Sequence, residues 1–196
     1  LSCFGASVGS VLLKALESAL DKNLVGSLDV AVAEGFLDKT DDEYLFSHDR
    51  IQEAAYSMIN FLDRCEVHFA YGAALAPFAA GEDEYSILLL LIAANQFNLG
   101  GPEAVQDESQ NIYVANLNLR AGKKAMEMSD YGAAYSYFHN GMSFLREGHW
   151  QEHYDLSLQL FELAAKCALA NGDFASLKLC SEQVVTEARL VYLLNR

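Results

Sequence analysis

Apolar side chains recur at helical spacing through the first part of the chain. In "VGSVLLKALESAL" (8–20) they return every third or fourth residue, and "LVGSLDVAVAEGF" (24–36) repeats this spacing as far as Gly35. Such spacing predicts amphipathic helices, and glycine is a common residue at the end of a helix. We therefore predict helices over 8–20 and 24–36.

The hydrophobic pattern then changes. "FLDKTDDEYLF" (36–46) places two short apolar pieces on either side of an acidic turn, which predicts a β-hairpin. A long helix is expected to begin at His48 or Asp49. Two helices, a hairpin and a third helix in this order are typical of a winged-helix unit, and we assign such a unit to residues 1–60.

The remaining residues, 61–196, have helical patterns throughout. Two turns in this part look alike, "MSDYGAAYSYFHNGM" from Met128 and "NGDFASLKLCSEQVV" from Asn171. A small residue, Gly122 or Ala165, precedes each turn, and an aromatic residue follows it. Small residues let paired helices approach closely, as in tetratricopeptide-like (TPR-like) repeats. The helices are predicted over 50–76, 84–98, 110–128, 130–146, 150–171 and 173–194.

These elements predict a mainly α fold, in which a small winged-helix unit with one β-hairpin precedes TPR-like antiparallel helix pairs arranged as an α-solenoid. Stacked helix pairs commonly serve as protein-binding surfaces. We therefore expect proteins or adjacent domains as partners of this region.

The net charge of the chain makes some classes of binding partner unfavourable. The net charge is −14 over 196 residues, so phosphate-rich nucleic acids and anionic membrane surfaces would be repelled. The longest apolar run, "ILLLLIAA" (87–94), is too short to span a bilayer. The cysteines lack the Cys-x-x-Cys spacing of metal and redox sites. We predict that all are buried free thiols, which suits the cytoplasm; they are Cys3, Cys65, Cys167 and Cys180.

One short motif is typical of metal enzymes. "HWQEH" (149–153) matches His-x-x-Glu-His, in which His149 and His153 would bind zinc and Glu152 would act as a base. The pattern also needs an acidic ligand further along the chain, where the sequence predicts only a helix pair. We therefore favour packing around Trp150 and assign no metal site. No phosphate-binding loop or catalytic triad is predicted either. His139 falls within a predicted helix, and we expect it at a partly buried packing site.

The stretch "YLFSHDRIQEAAYSMI" (44–59) resembles a known family. It is similar to the segment that closes the winged-helix part of signal-transduction ATPases with numerous domains, which are relatives of AAA proteins. The branch it resembles contains multi-domain serine/threonine kinases and hybrid histidine kinases. The similarity continues through 116–145 and 150–165. Within 44–59 the departures are mild and lie at Ile51, Glu53 and Met58.

The resemblance implies that this chain is a non-catalytic piece of a longer protein. An ATP- or ADP-binding core, with magnesium, would precede Leu1, and sensor and kinase parts would follow Arg196. The segment would comprise a winged-helix lid and a helical arm that couple the nucleotide state to protein interactions.

The resemblance also suggests a site. Related ATPases carry Met-His-Asp where this chain has Ser47-His48-Asp49, and their histidine contacts the bound diphosphate. His48 would donate to a phosphate, Asp49 would cap the helix or orient the imidazole, and Arg50 would pair with a phosphate or carboxylate. In the alternative interpretation Ser47 or Asp49 only caps the helix and His48 holds the hairpin.

Two other functions stay open at this point. A stand-alone TPR-like adaptor would only bind protein. An enzyme would need His149, Glu152 and His153 to bind a metal ion.

Overall fold

A computed structural model gives the fold. It describes residues 1–105 and 107–194, and side chains as far as residue 187. The chain forms two compact units, Leu1–Gly100 and Gly101–Arg196. Each unit has its own buried core.

The first unit contains an antiparallel sheet of three strands, β1 (Ser7–Gly9), β2 (Leu37–Lys39) and β3 (Glu43–Phe46). Their order in the sheet is β1-β3-β2. Val8 pairs with Tyr44 and Leu37 pairs with Phe46. The predicted hairpin is therefore confirmed. The first residues of the predicted helix 8–20 belong to a strand instead, because Val8 is buried against β3.

Two helices, α1 (Ser10–Leu20) and α2 (Leu24–Ala33), connect β1 to β2. The Glu17 carboxylate accepts hydrogen bonds from the first two backbone N–H groups of α2, at 2.8 and 3.0 Å. It thereby satisfies donors that a helix start otherwise leaves unpaired. Gly35, with a φ of +76°, follows the end of α2, in agreement with the predicted stop.

The long helix predicted over 50–76 is two helices. The helix α3 spans Asp49–Ser57 and α4 spans Arg64–Leu75, with a 3-10 turn, Phe61–Asp63, between them. The Asn60 side chain accepts a hydrogen bond from the Leu62 N–H at 3.2 Å. This cap begins a new helical turn at Phe61. The next helix, α5, spans Glu84–Gly100.

The second unit consists of helices that pair across short turns. They are α6 (Glu108–Glu127), α7 (Tyr131–Ser143), α8 (His149–Glu152), α9 (Tyr154–Ala170) and α10 (Phe174–Leu194). A Cβ atom on Gly141, in α7, would lie 3.1 Å from Cβ of Asn118, in α6. These residues are nearly equidistant from the turn at Ser129, so α6 and α7 are antiparallel. The predicted helix 150–171 is interrupted at His153.

The predicted fold class, mainly α with a small hairpin, is confirmed. The predicted boundary at residue 60 separates a lid from repeats, whereas the division of the chain into compact units falls after Gly100. The assignment of 1–60 and 61–196 to those domain types stays a prediction. None of the described helices combines the length and apolar character needed to cross a membrane.

Two predictions about single side chains are wrong. Cys65 is exposed, whereas Cys3, Cys167 and Cys180 are buried. His139, expected at a partly buried packing site, is exposed on α7.

Candidate functional site

The three residues predicted to sense nucleotide lie together at the start of α3. His48 follows β3 by two residues, and Asp49 and Arg50 form the first turn of the helix. All three side chains are exposed. The chain therefore presents them on one accessible turn.

Ser47, which precedes this turn, holds the hairpin in place. Its Oγ lies 2.9 Å from the Gly35 carbonyl oxygen and 3.1 Å from that of Phe36. Its backbone N–H donates to the same Phe36 carbonyl at 3.2 Å. These bonds tie the start of α3 to the end of α2.

His48 is the residue that caps α3. Its Nδ1 accepts a hydrogen bond from the Arg50 N–H at 3.1 Å. A neutral imidazole whose Nδ1 accepts carries its proton on Nε2. The alternative prediction, in which Ser47 or Asp49 caps the helix and His48 holds the hairpin, is therefore wrong. His48 caps the helix and Ser47 holds the hairpin. The same cap fixes a ring tautomer that can donate from Nε2.

Asp49 and Arg50 supply opposite charges beside the imidazole. Asp49, in the first turn of α3, interacts favourably with the positive end of the helix dipole. Among the described residues, neither side chain has a hydrogen-bonded or ionic partner. Arg50 is thus able to meet an anionic ligand, although Asp49 offsets its charge.

The opposite face of α3 is anchored by a polar network that the spacing of residues along the chain does not predict. Tyr56 Oη lies 2.8 Å from His68 Nε2, and His68 Nδ1 lies 2.8 Å from Gln96 Oε1. Gln96 Nε2 donates to the Cys3 carbonyl at 2.9 Å. Because Gln96 Oε1 can only accept, His68 donates from Nδ1 and Tyr56 donates to Nε2.

This network links α3 to α4, α5 and the N-terminal 3-10 turn, Ser2–Phe4. His68 and Gln96 are each only 3% exposed, so the bond between them and the bond from Gln96 to Cys3 are shielded from water. Gln52 adds a bond from α3 to the Ser2 carbonyl at 3.2 Å. The helix that His48 caps is consequently fixed to the rest of its unit.

The metal motif is not assembled as the sequence pattern requires. Helix α8 ends at Glu152, and His153 has non-helical dihedral angles. His149 Nδ1 lies 2.7 Å from Ser157 Oγ, and its ring is stacked on Phe161. Burial lowers the pKa of His149. These contacts and the burial of Trp150 confirm the interpretation that this segment packs into the unit.

A different set of metal-ligating groups meets nearby. Potential ligand atoms of Glu108, Glu152 and His153 lie within 4.8 Å of one another. Both glutamates are exposed and His153 is half-buried. Glu108 comes from the start of α6, upstream of the motif, whereas the sequence pattern called for a downstream acid.

The chain was compared with protein-family models, curated proteins and solved structures, and none of the three comparisons gives a match. A functional assignment therefore depends on the residues and their geometry.

Proposed function

We propose that this chain is a non-catalytic regulatory segment of a multi-domain, ATP-dependent signalling protein of the cytoplasm. Residues 1–60 act as a lid that responds to ATP or ADP, and 61–196 act as a helical arm that binds proteins or adjacent domains. The nucleotide, with magnesium, is held by another part of that protein.

The observation that carries this proposal is the exposed, capped imidazole of His48. Its Nδ1 is occupied by the Arg50 N–H, which leaves a neutral Nε2–H as a donor for a phosphate oxygen. The positive end of the α3 dipole lies beside it and favours an anion. An imidazole needed only for packing would not have to be exposed.

The attachment of α3 to the rest of its unit supports the proposed coupling between the nucleotide and the helical arm. A ligand changes a protein's conformation only through interactions that differ between two states. A phosphate that attracts His48 in one nucleotide state would pull on α3. The network from Tyr56 through His68 to Gln96 would carry that displacement to α4 and α5.

Substitutions of His48 in the complete protein test the proposal. In His48→Ala the lost hydrogen bond should speed ADP release by about two- to tenfold, the range expected for one bond. His48→Asn is the matched control for capping, because asparagine is a strong N-cap. It should keep the stability of α3 and still release ADP faster.

If both variants retain ADP as long as the wild type does, His48 does not sense the nucleotide. The 196-residue chain alone should bind ATP weakly or not at all. Tight binding to it would also contradict the proposed division of labour.

A stand-alone protein-binding adaptor is the second candidate, and the antiparallel pairing of α6 with α7 favours it. The two candidates differ in the coding sequence upstream of Leu1. A phosphate-binding loop within roughly 250 residues, about one domain, is expected for the regulatory segment only.

A further inference from the structure

Three potential metal ligands meet in the second unit, where the start of α6 lies beside the break between α8 and α9. Ligand atoms of Glu108, Glu152 and His153 lie within 4.8 Å of one another. Among the described residues, none of these three side chains takes part in a hydrogen bond or a salt bridge. Their oxygen and nitrogen atoms are therefore available to an ion.

The backbone on either side of His153 holds its imidazole in place. Its N–H donates to the His149 carbonyl at 2.8 Å, and its own carbonyl accepts from the Ser157 hydroxyl at 3.0 Å. The ring is half-buried, so it loses less conformational entropy on binding than a fully exposed side chain would. His149 has a different role, because its Nδ1 lies 2.7 Å from Ser157 Oγ.

A cavity of about 480 Å³ lies beside these ligands. Glu152 and His153 form part of its wall, together with Ile112 and Asn116 of α6. Ile112 and Asn116 follow Glu108 by about one and two helical turns, so the three residues share one face of α6. An ion held by the three ligands thus has space beside it for a further ligand.

The charges at this place favour a cation. Two carboxylates this close repel each other unless a cation or a proton lies with them, and Asp155 adds another acidic side chain to the cavity wall. Lys123 donates to Gln159, a further residue of the wall, at 2.7 Å. It forms no salt bridge with Glu108 or Glu152 among the described residues, so their repulsion is uncompensated.

The imidazole of His153 discriminates among divalent cations. Calcium and magnesium prefer oxygen ligands alone, whereas zinc readily takes an imidazole together with carboxylates. At tetrahedral angles, ligand atoms about 2.1 Å from a zinc ion lie about 3.4 Å apart. Both glutamates are exposed, so their side chains can rotate to reach this spacing.

We propose that Glu108, Glu152 and His153 bind a zinc ion, with water as its fourth ligand in the cavity. Three protein ligands and a water are typical of zinc sites that keep an open position. The ion joins the start of α6 to the break between α8 and α9. The expectation of no metal site concerned the pair His149 and His153, and here Glu108 takes the place of His149. This proposal does not depend on nucleotide sensing.

Zinc binding to the 196-residue chain, freed of metal with a chelator beforehand, tests the proposal. Competition with a coloured zinc indicator should show one bound ion, and excess magnesium or calcium should not displace it. Zinc should also raise the Tm, because an ion that binds only the folded chain stabilises it. Cobalt(II) in place of zinc should give no thiolate charge-transfer band, since no cysteine is a ligand.

Substitution of each ligand locates the ion. His153→Gln, Glu108→Gln and Glu152→Gln should each weaken zinc binding by about tenfold or more, because even the loss of a residue that only supports a ligand often costs this much. His139→Gln removes an exposed histidine of α7 and is the matched control for the imidazole. Glu162→Gln, near the middle of α9, makes the same change in net charge as the two glutamate variants. Both controls should bind zinc as the wild type does.

Several results would overturn the proposal. Zinc may not be bound at all by the wild type, or binding that survives all three ligand substitutions would place the ion elsewhere. Equal weakening in Glu162→Gln would reduce the effect to attraction between net charges, and displacement by magnesium would mark an unselective acidic cluster. A thiolate band that Cys65→Ser abolishes would assign the metal to the exposed thiol.

Circular dichroism should first show that each variant is folded, and three ligand variants keep the test decisive where one of them fails to fold. Since no nucleotide is present in these measurements, failure of the zinc proposal leaves the His48 proposal standing.

Discussion

The ring of Phe138 lies directly against the α-carbon of Gly122. A Cβ atom at position 122 would be 2.7 Å from Cδ1 of Phe138 and closer still to Cε1, whereas an ordinary contact is 3.4 Å or longer. Gly122 therefore lets α6 and α7 approach closely. This is the role that the repeat pattern in the sequence predicted for a small residue before the turn.

Replacing Gly122 with alanine should destabilise the chain. Overpacking a core costs about 1–3 kcal/mol, which exceeds the gain of about 1 kcal/mol from the better helix propensity of alanine. We expect a lower urea midpoint and an unchanged slope, measured by circular dichroism.

Gly132→Ala is the matched control in α7. Its nearest neighbour would be Asp130 Oδ1 at 3.6 Å, an ordinary contact. Its stability should stay the same or rise by up to about 1 kcal/mol. Equal effects of the two substitutions would contradict the close packing of Gly122 on Phe138.

Tyr56→Phe should weaken the attachment of α3 to α4. The substitution leaves the buried Nε2 of His68 without its donor, which costs about 1–3 kcal/mol. Tyr135→Phe removes a hydroxyl from a half-buried tyrosine in the second unit and should have little effect. Denaturant unfolding measures both.

A double-mutant cycle checks the origin of this loss. In a His68→Leu background the Tyr56→Phe substitution should cost less, because the acceptor is already gone. An undiminished cost in that background would mean that the Tyr56 hydroxyl acts through some other partner.

Stability should fall at mildly acidic pH because of His149. Desolvation lowers its pKa below the ordinary value of 6.5, the nearby Glu187 opposes this shift, and His153 adds to it. The unfolded chain therefore binds a proton more readily than the folded chain. The contribution of His149 is complete above about pH 6.5 and is lost as the pH falls below it towards the lowered folded value.

Thermal unfolding at pH 7.5 and 5.5 measures this effect. His149→Gln should reduce the drop in Tm between the two values, whereas His139→Gln, at an exposed position, should leave it unchanged. An identical drop in the wild type and His149→Gln would show that other groups govern the acid sensitivity.

Local sequence signals predicted much of the first unit. The acidic turn between short apolar pieces indicated the hairpin of β2 and β3, and Gly35 indicated the end of α2. Strand β1 was missed because its pairing of Val8 with Tyr44 joins distant residues. A three-residue strand leaves too short an alternating pattern to detect.

The breaks in two long helices were also missed. Apolar spacing continues past Ile59 to Leu62, so it predicts one helix, yet the Asn60 cap starts a new turn there. The sequence predicts Ser47 or Asp49 as the cap of α3 in place of His48, because serine and aspartate are the usual N-caps. The Tyr56–His68–Gln96 network depends on three separate helices, and spacing along one helix cannot reveal it.

The uneven exposure of the cysteines has a practical consequence. Cys65 is exposed at the start of α4, whereas Cys3, Cys167 and Cys180 are buried, and burial raises the pKa of each of those three thiols. A maleimide reagent, which attacks the thiolate, should therefore modify Cys65 rapidly and the others only after they become exposed. Labelling kinetics followed by mass spectrometry would then report the opening of each unit separately, through Cys3 in the first and Cys167 and Cys180 in the second.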